Sequence, residues 1–306
     1  MINIVLDTSM LDTFQLCELK FHRRYNLNLV TPTKAIPLDR GNIIHVAHEN
    51  YWNVLKDTRD WVKAVDAALV AFRVAASESD LDIIDPMRSK NITSTTDYIL
   101  SVLEQNFEFW KHVDMSYEIN AVEQPFSYVL YQDDDVRIIM MGKIDLVLSD
   151  TRTNLFPMDH KSVDRDYGVK SFQNQFTNYS IATGSNIVLV NRIGLQSSLK
   201  PEEKFKRVPV SYDPLKQEQW RANTIKWAFR YLENTQDNDW PENRTGCDKW
   251  NRLCEYYDVC DSSGDEAKEY KLNAFFKKDK PWDVGKAMLS STEQVALALR
   301  EGHGEG

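Results

Sequence analysis

Asp145, Asp159, Lys161 and Gln175 stand at the spacing of a strand, a second strand and a following helix. Folded that way, two carboxylates and an ammonium meet at one point able to hold a divalent metal, which is the equipment for hydrolysing a phosphodiester.

The elements that must position them are legible nearby. Val136–Leu148 (VRIIMMGKIDLVL) is rich in Ile, Val, Leu and Met, with only Arg137, Lys143 and Asp145 charged, and reads as a largely buried strand. A carboxylate inside such a strand needs a purpose. Ser149–Asn154 (SDTRTN) is turn chemistry, and Leu155–Lys161 (LFPMDHK) returns as a second strand. Asp159 and Lys161 are two apart, so an extended chain points both side chains to one face. After Gly168, Val169–Thr183 has helical length with Gly184 as its stop, and Gln175 and Tyr179, four apart, share a face of that helix.

An acid-x-Lys tripeptide alone carries no information. Glu18/Lys20, Glu202/Lys204, Glu266/Lys268 and Glu269/Lys271 share the spacing, but only Asp159/Lys161 has a strand-borne Asp upstream and a helix with Gln and Tyr downstream. In these residues the chain resembles the RecB-like branch of the PD-(D/E)xK nuclease superfamily. Gly142–Asp145 (GKID) is similar to its motif II, Asp159–Lys161 (DHK) to its motif III, and Gln175–Tyr179 (QFTNY) to its Q-x-x-x-Y motif. Gly41–His45 (GNIIH) resembles an upstream motif in which a Gly, with a His four residues on, opens a helix. The resemblance runs from about residue 9 to residue 260 as short motifs.

The resemblance implies a metal-dependent DNA nuclease, an exonuclease acting on single-stranded DNA or DNA ends in recombination, repair, viral DNA processing or CRISPR adaptation. It implies Asp145, Asp159, Lys161, Gln175 and Tyr179 as catalytic residues, and His45, Asp145, Asp159 and the backbone carbonyl of His160 as ligands of Mg²⁺ or Mn²⁺. Such an ion lowers the pKa of water and polarises the scissile phosphate. Lys161 would then orient or help deprotonate the water and stabilise charge on the phosphoryl oxygens, while Gln175 and Tyr179 would position the DNA strand or the metal-bound waters. Imidazole is softer than oxygen, so His45 would favour Mn²⁺. His48 and Glu49 are expected on the helix surface or supporting the ligands. Glu123, in the expected strand Ala121–Leu130, serves either as an extra site carboxylate or structurally.

Four cysteines are present: Cys17, then Cys247, Cys254 and Cys260. The opening Met1–Met10 lacks the basic start of a secretion signal and carries Asp7, so a cytoplasmic setting, prokaryotic or viral, is expected and disulfides are not. Zinc is a serious alternative, although gaps of six and five residues between the last three differ from the short knuckle spacing of zinc sites. The resemblance implies a 4Fe-4S cluster instead, as in AddB-type and CRISPR-associated RecB-like nucleases and exonuclease V. Ser9–Asp12 (SMLD) resembles a capping box opening a helix that carries Cys17, Leu19, Phe21 and Tyr25. Ligation would couple both chain ends to folding.

At 306 residues, 42% hydrophobic and 27% charged, the chain can bury one substantial core or two modest ones, and no stretch could span a bilayer. The net charge of −9 argues against tight non-specific nucleic-acid binding but leaves local phosphate contacts open. The basic runs Lys20–Arg24, Lys200–Arg207 and Lys277–Lys280 are expected to be solvated surface, and Trp220, Trp227, Phe107, Phe109 and Trp110 to be core packing. Arg300–Gly306 reads as a loose tail.

The expected fold is α/β: a small mixed sheet flanked by helices, restriction-endonuclease-like by resemblance, with a helical insertion and a four-cysteine iron-sulfur staple joining the N- and C-terminal regions. One discontinuous domain would cover residues 1–262, with the Cys17 helix at 1–30, a helical section at 38–112, a catalytic core at 121–235 and the cysteine segment at 240–262. Residues 263–306 would form an extension. Further strands are expected at Asn186–Val190 and Phe205–Ser211, and a long helix at Pro214–Asn234. DNA is the expected partner, any protein partner being unknown, and no membrane is. The alternatives are a non-catalytic DNA- or protein-binding module of the same fold and a zinc-stabilised interaction protein.

Overall fold

The structure is a computed structural model that describes residues 1–32, 36–78, 96–150, 154–164, 168–249 and 252–280. The turn residues 151–153, the stretch 79–95 of the helical section and the tail Arg300–Gly306 lie outside the described residues.

The chain begins with strand β1 (Ile2–Leu6), helices α1 (Thr8–Leu16) and α2 (Glu18–Phe21), a π-helical turn (His22–Asn26) and β2 (Leu29–Val30). Helices α3 (Ile36–Thr58), α4 (Trp61–Ser77) and α5 (Thr96–Asp114) follow, then strands β3 (Glu118–Gln132), β4 (Val136–Ser149) and β5 (Leu155–Val163). After α6 (Asn174–Thr183) come β6 (Ile187–Gly194), α7 (Pro201–Lys204), β7 (Phe205–Ser211) and the long α8 (Pro214–Asp237). A 3₁₀ turn (Arg244–Gly246), β8 (Asp248–Lys249), β9 (Arg252–Leu253), α9 (Tyr257–Cys260), α10 (Asp265–Phe275) and β10 (Lys277–Lys278) complete the chain. Among the described residues no helix is long and apolar enough to cross a membrane.

Two compact units emerge. Among the described residues, one comprises 36–126 and 143–217, and the other 1–32, 127–142 and 218–280.

In the unit that holds residues 36–126 and 143–217, a mixed sheet carries the expected strands. The end of β4 pairs antiparallel with β5, β5 parallel with β6, and β6 antiparallel with β7. A hydrophobic face of α3, built from Ile44, Ala47, Tyr51 and Leu55 at helical spacing, is fully buried with α4 and α5 against it. Phe107 lies in that core and Trp110 packs on it, whereas Phe109 is partly exposed. Helix α6 starts at Asn174, five residues later than its sequence pattern suggests. Phe172 is 76% exposed, so the buried face that stabilises the helix begins only at Phe176. Gly184 ends the helix at φ +68°, the left-handed stop the sequence called for.

In the other unit, β1 pairs parallel with the start of β4, Ile2 opposite Val136 through Leu6 opposite Met140. Ile4, Leu6, Met10, Phe14, Phe21, Ile138 and Met140 form its core, and Trp220 and Trp227 pack against it as their spacing in α8 suggests. Two details of the first helix differ from expectation. Its cap is Asp7, whose carboxylate accepts from Met10 N at 2.7 Å; Ser9 already lies inside the helix and cannot cap it. The helix also breaks at Cys17, which is extended at φ −164°, and Leu19 N–H donates to Pro241 O at 3.2 Å instead of continuing the ladder. Of the expected basic surface, Arg23 is buried, as are Lys204 and the side chain of Arg207 in the sheet-bearing unit; Lys277 and Lys278 are exposed.

The chain turns into the cysteine segment at Gly246. A Cβ there would sit 2.8 Å from Leu16 Cδ1 and 2.9 Å from the Leu16 backbone oxygen, which cannot withdraw without moving α1. Gly246→Ala is therefore expected to destabilise this unit by roughly 1–3 kcal/mol in chemical denaturation, the ordinary cost of overpacking. Wild-type stability would show that the approach is looser than described.

Candidate metal centre

Asp145 sits on β4 among Ile144, Leu146 and Val147, and is itself buried. Its Oδ2 accepts a hydrogen bond from the His160 backbone N–H at 2.8 Å, so β5 fixes the carboxylate across the strand pair. His45, on α3, brings Nδ1 to 3.4 Å from the same oxygen. Glu123 adopts φ +50° within β3, a left-handed conformation that interrupts the alternation of the strand and re-aims the side chain. One ligand atom from each of His45, Glu123 and Asp145 lies within 4.8 Å of the other two.

The donor set fits a divalent cation. Burial holds the His45 imidazole below its ordinary pKa, reinforced by the Lys161 charge, and so keeps it in the neutral form that ligates. Burial raises the Asp145 carboxyl above the usual range. Glu123 is pushed up to about 7, by burial first and then by the Asp145 charge. Two carboxylates that resist ionising side by side, next to a neutral imidazole, form a site whose missing positive charge a metal supplies. His45, Glu123 and Asp145 would hold it.

Asp159 and Lys161 point to one face of β5, as their spacing required. Lys161 Nζ donates to Asp159 Oδ1 at 3.1 Å and to Gln175 Oε1 at 3.0 Å. Gln175 Nε2 donates to the Tyr179 hydroxyl at 2.8 Å, which donates to the Lys143 carbonyl at 2.6 Å. The chain of bonds thus ties β5 to α6 and α6 back to β4. Burial works against the Lys161 ammonium, but the Asp159 and Asp145 charges outweigh it and its pKa is raised, so it stays protonated. Asp159 is fully buried and pushed up to about 6, burial outweighing Lys161. The Tyr179 phenol is held well above its usual value by burial and the two aspartates, and remains a donor.

Asp159, Lys161, Gln175 and Tyr179 therefore lie in one bonded chain, while Asp145 is joined instead to the His160 backbone N–H and to His45. His48 and Glu49 are not on the helix surface but buried. Helix α3 is covered on that side, and the His48 ring stacks on His160 at 4.1 Å. Burial lowers the His48 pKa to about 3 and keeps the ring neutral. Sequence reasoning missed Lys143, which pairs with Glu123 at 2.5 Å. Its signal was present: a second charge two residues before Asp145 in an apolar strand must share the Asp145 face.

In the other unit, Cys17, Cys247, Cys254 and Cys260 are free thiols, each half-buried. Cys254 N–H donates to the Cys247 carbonyl at 2.7 Å, and Asn243 N–H to Cys17 Sγ at 3.4 Å. Arg23 Nη1 donates to Cys260 Sγ at 3.0 Å. Burial raises the Cys247 thiol, and the Cys260 and Cys17 sulfurs add to it. Burial raises the Cys254 thiol as well.

Without a metal, the raised carboxylates have a consequence for stability. Folded Asp159 holds a proton up to about pH 6 that the unfolded chain releases near its ordinary 3.8, so the folded state binds more protons in that window. Stability is therefore highest below pH 4 for this group and falls by about 3 kcal/mol as the pH rises through 6. Mn²⁺ competes with those protons, and its stabilising effect should grow with pH. Thermal melts are expected to show a larger Mn²⁺-induced rise in Tm at pH 8 than at pH 5. An equal rise at both values would place the ion elsewhere.

Comparison with known proteins gives this site its setting. No curated protein shows a significant match. The chain is similar to the solved structure of SSO0001 at 10% identity and a TM-score of 0.31, covering 65% of this chain and 74% of that one. The sequence profile described as PD-(D/E)XK nuclease superfamily matches residues 8–261, which include both the sheet-borne carboxylates and all four cysteines. Members of that superfamily are nucleases, hydrolases that use divalent metal ions. With the match running over most of its length, the chain belongs to the PD-(D/E)XK nuclease superfamily.

Proposed function

We propose that the protein is a DNA exonuclease of the RecB-like kind, acting on single strands or ends. The observation that carries the catalytic assignment is the Lys161 ammonium held between Asp159 and Gln175, beside the His45, Glu123 and Asp145 donors.

A bound Mg²⁺ or Mn²⁺ would polarise the scissile phosphate and make water acidic enough to attack. His45, Asp145 and Glu123 would hold the ion, with Asp159 and the His160 carbonyl as the further candidate ligands. Lys161 is aimed at charge that develops on the phosphoryl oxygens, because its neighbours fix its position before substrate arrives. Gln175 positions Lys161, and Tyr179 positions Gln175. A non-catalytic module would have no use for keeping this chain of bonds complete.

The same reading gives the four cysteines a 4Fe-4S cluster, with zinc as the alternative. Support comes from the convergence of Cys17 with the three C-terminal cysteines in one unit and from Arg23, whose charge offsets that of a thiolate-ligated cluster.

The decisive assay uses purified protein, Mn²⁺ and DNA labelled in turn at each end, single- and double-stranded. Asp159→Ala and Asp145→Ala are expected to abolish cutting while circular dichroism stays native; a folded variant that cuts at the wild-type rate refutes the assignment. Lys161→Ala should lower kcat by about 10²–10³ and leave KM within a few-fold, the signature of a group used in the transition state. Gln175→Ala, acting through Lys161, should cost about 10–100-fold in kcat.

The cysteine reading has its own readout. Anaerobically purified protein is expected to be brown, and replacing any of Cys17, Cys247, Cys254 or Cys260 by Ala should remove most of the iron and lower Tm together. One zinc and no iron per chain in active protein would replace the cluster by zinc and leave the nuclease reading intact.

A further inference from the structure

The turn that leads into α6 carries an aromatic ring that the fold does not use. Phe172 is 76% exposed, the most exposed large hydrophobic side chain among the described residues. A single apolar residue on a surface is ordinary; what sets this one apart is the backbone that holds it and the groups it stands beside.

That backbone is anchored on both sides. Val169 packs against the cluster of Ile144, Val147, Phe176 and Tyr179, and Phe176 is itself buried in that cluster. Between them Gln173 N–H donates to the Lys170 carbonyl at 3.4 Å, closing a turn with Ser171 and Phe172 at its central positions. Thr177 N–H then donates to the Gln173 carbonyl at 3.3 Å as the helix starts. Val169 and Phe176 face the core while Phe172 between them faces solvent, so the outward ring stands on a held turn.

The same stretch reaches Lys161. Gln175, three residues after Phe172, accepts from Lys161 Nζ at 3.0 Å, and the Phe176 ring centroid lies 5.9 Å from that ammonium. Three residues of chain span at most about 11 Å, so Phe172 stands within a few nucleotides' length of a phosphate held at Lys161. Lys170 Nζ lies 5.8 Å from the Phe172 ring centroid and places positive charge beside the ring. An exposed aromatic face with a cation near it, next to a site suited to phosphate, matches the chemistry of a nucleobase joined to its own phosphate.

We propose that Phe172 stacks on a nucleobase of the DNA strand close to the scissile phosphate and so holds that strand for Lys161. The proposal rests on the nuclease reading and adds how an unpaired strand is gripped. Stacking needs a base whose face is open, so the contact favours single strands and frayed ends over the interior of a duplex. Every base has such a face, so it favours no sequence.

The test pairs binding with cleavage. Fluorescence anisotropy of an end-labelled single-stranded oligonucleotide in EDTA gives Kd, and the same strand with Mn²⁺ gives kcat and KM. Phe172→Ala, at an exposed position where Tm should not change, is expected to raise Kd and KM about tenfold with kcat within about twofold. The dependence of log Kd on log salt should stay as in the wild type, because the lost contact is uncharged. Phe172→Tyr and Phe172→Trp should restore the wild-type values, and Phe172→Leu, apolar but without an aromatic face, should not. An abasic nucleotide walked along the strand should raise the wild-type Kd at the stacked position, and Phe172→Ala should add little to the loss there. Wild-type Kd and KM in Phe172→Ala, while the wild type cuts DNA, would overturn the stacking contact alone. Full rescue by Phe172→Leu, or an abasic effect undiminished in Phe172→Ala, would overturn it too. A wild-type protein that neither binds nor cuts DNA would overturn the nuclease reading and the contact together.

Discussion

Burying carboxylates in the middle of an apolar sheet is the constraint on which the rest of the sheet-bearing unit depends. Asp145, Asp159 and Glu123 all lie within one small volume, and each resists ionising there. Such groups are tolerated only if partners supply the charge and hydrogen bonds that water would have given. Lys161 answers Asp159, Lys143 answers Glu123, and the His160 backbone N–H answers Asp145. The compensation is incomplete, because His45 is neutral, and a divalent cation held by His45, Glu123 and Asp145 would complete the balance.

Strand β5 serves two environments at once. One face presents Asp159 and Lys161 beside the His45, Glu123 and Asp145 donors. The other carries His160 into a buried network that runs through Asn191 and Arg207 to Asp114 and the Tyr51 hydroxyl, 3.1 Å from Asp114. The network links β5, β6, β7, α5 and α3, so the strand that bears the reactive groups is held by polar bonds of fixed geometry as well as by packing. His48 stacked on His160 fills the space between helix and strand with neutral rings. Rigid placement from behind allows the front face to be preorganised, which is the condition for electrostatic catalysis.

In the unit that holds the cysteines, backbone geometry is what brings sulfur together. Cys17 sits at a break between two short helices, and Leu16 closes on Gly246, beside Cys247. Arg23 is buried, its Nη1 donating to Cys260 Sγ at 3.0 Å and its guanidinium lying over the Tyr256 ring at 5.5 Å, so sulfur and ring together hold it.

How much of this was legible in the chain follows from the range of each interaction. Strand periodicity, the Asp159/Lys161 same-face spacing, the Gly184 stop and the Gln175/Tyr179 step are local, and they stand in the sequence because backbone geometry alone imposes them. The Asp7 cap and the later start of α6 were misread, since both turn on which neighbour a residue meets: Met10 N–H for Asp7, solvent for Phe172. Glu123 could be named only as one of two possibilities, because a positive φ within a strand is decided by the packing around it. The His160 network and the burial of His48 belong wholly to tertiary structure: the first depends on strand register, the second on the packing of α3 against β5, and both join residues that no sequence spacing connects.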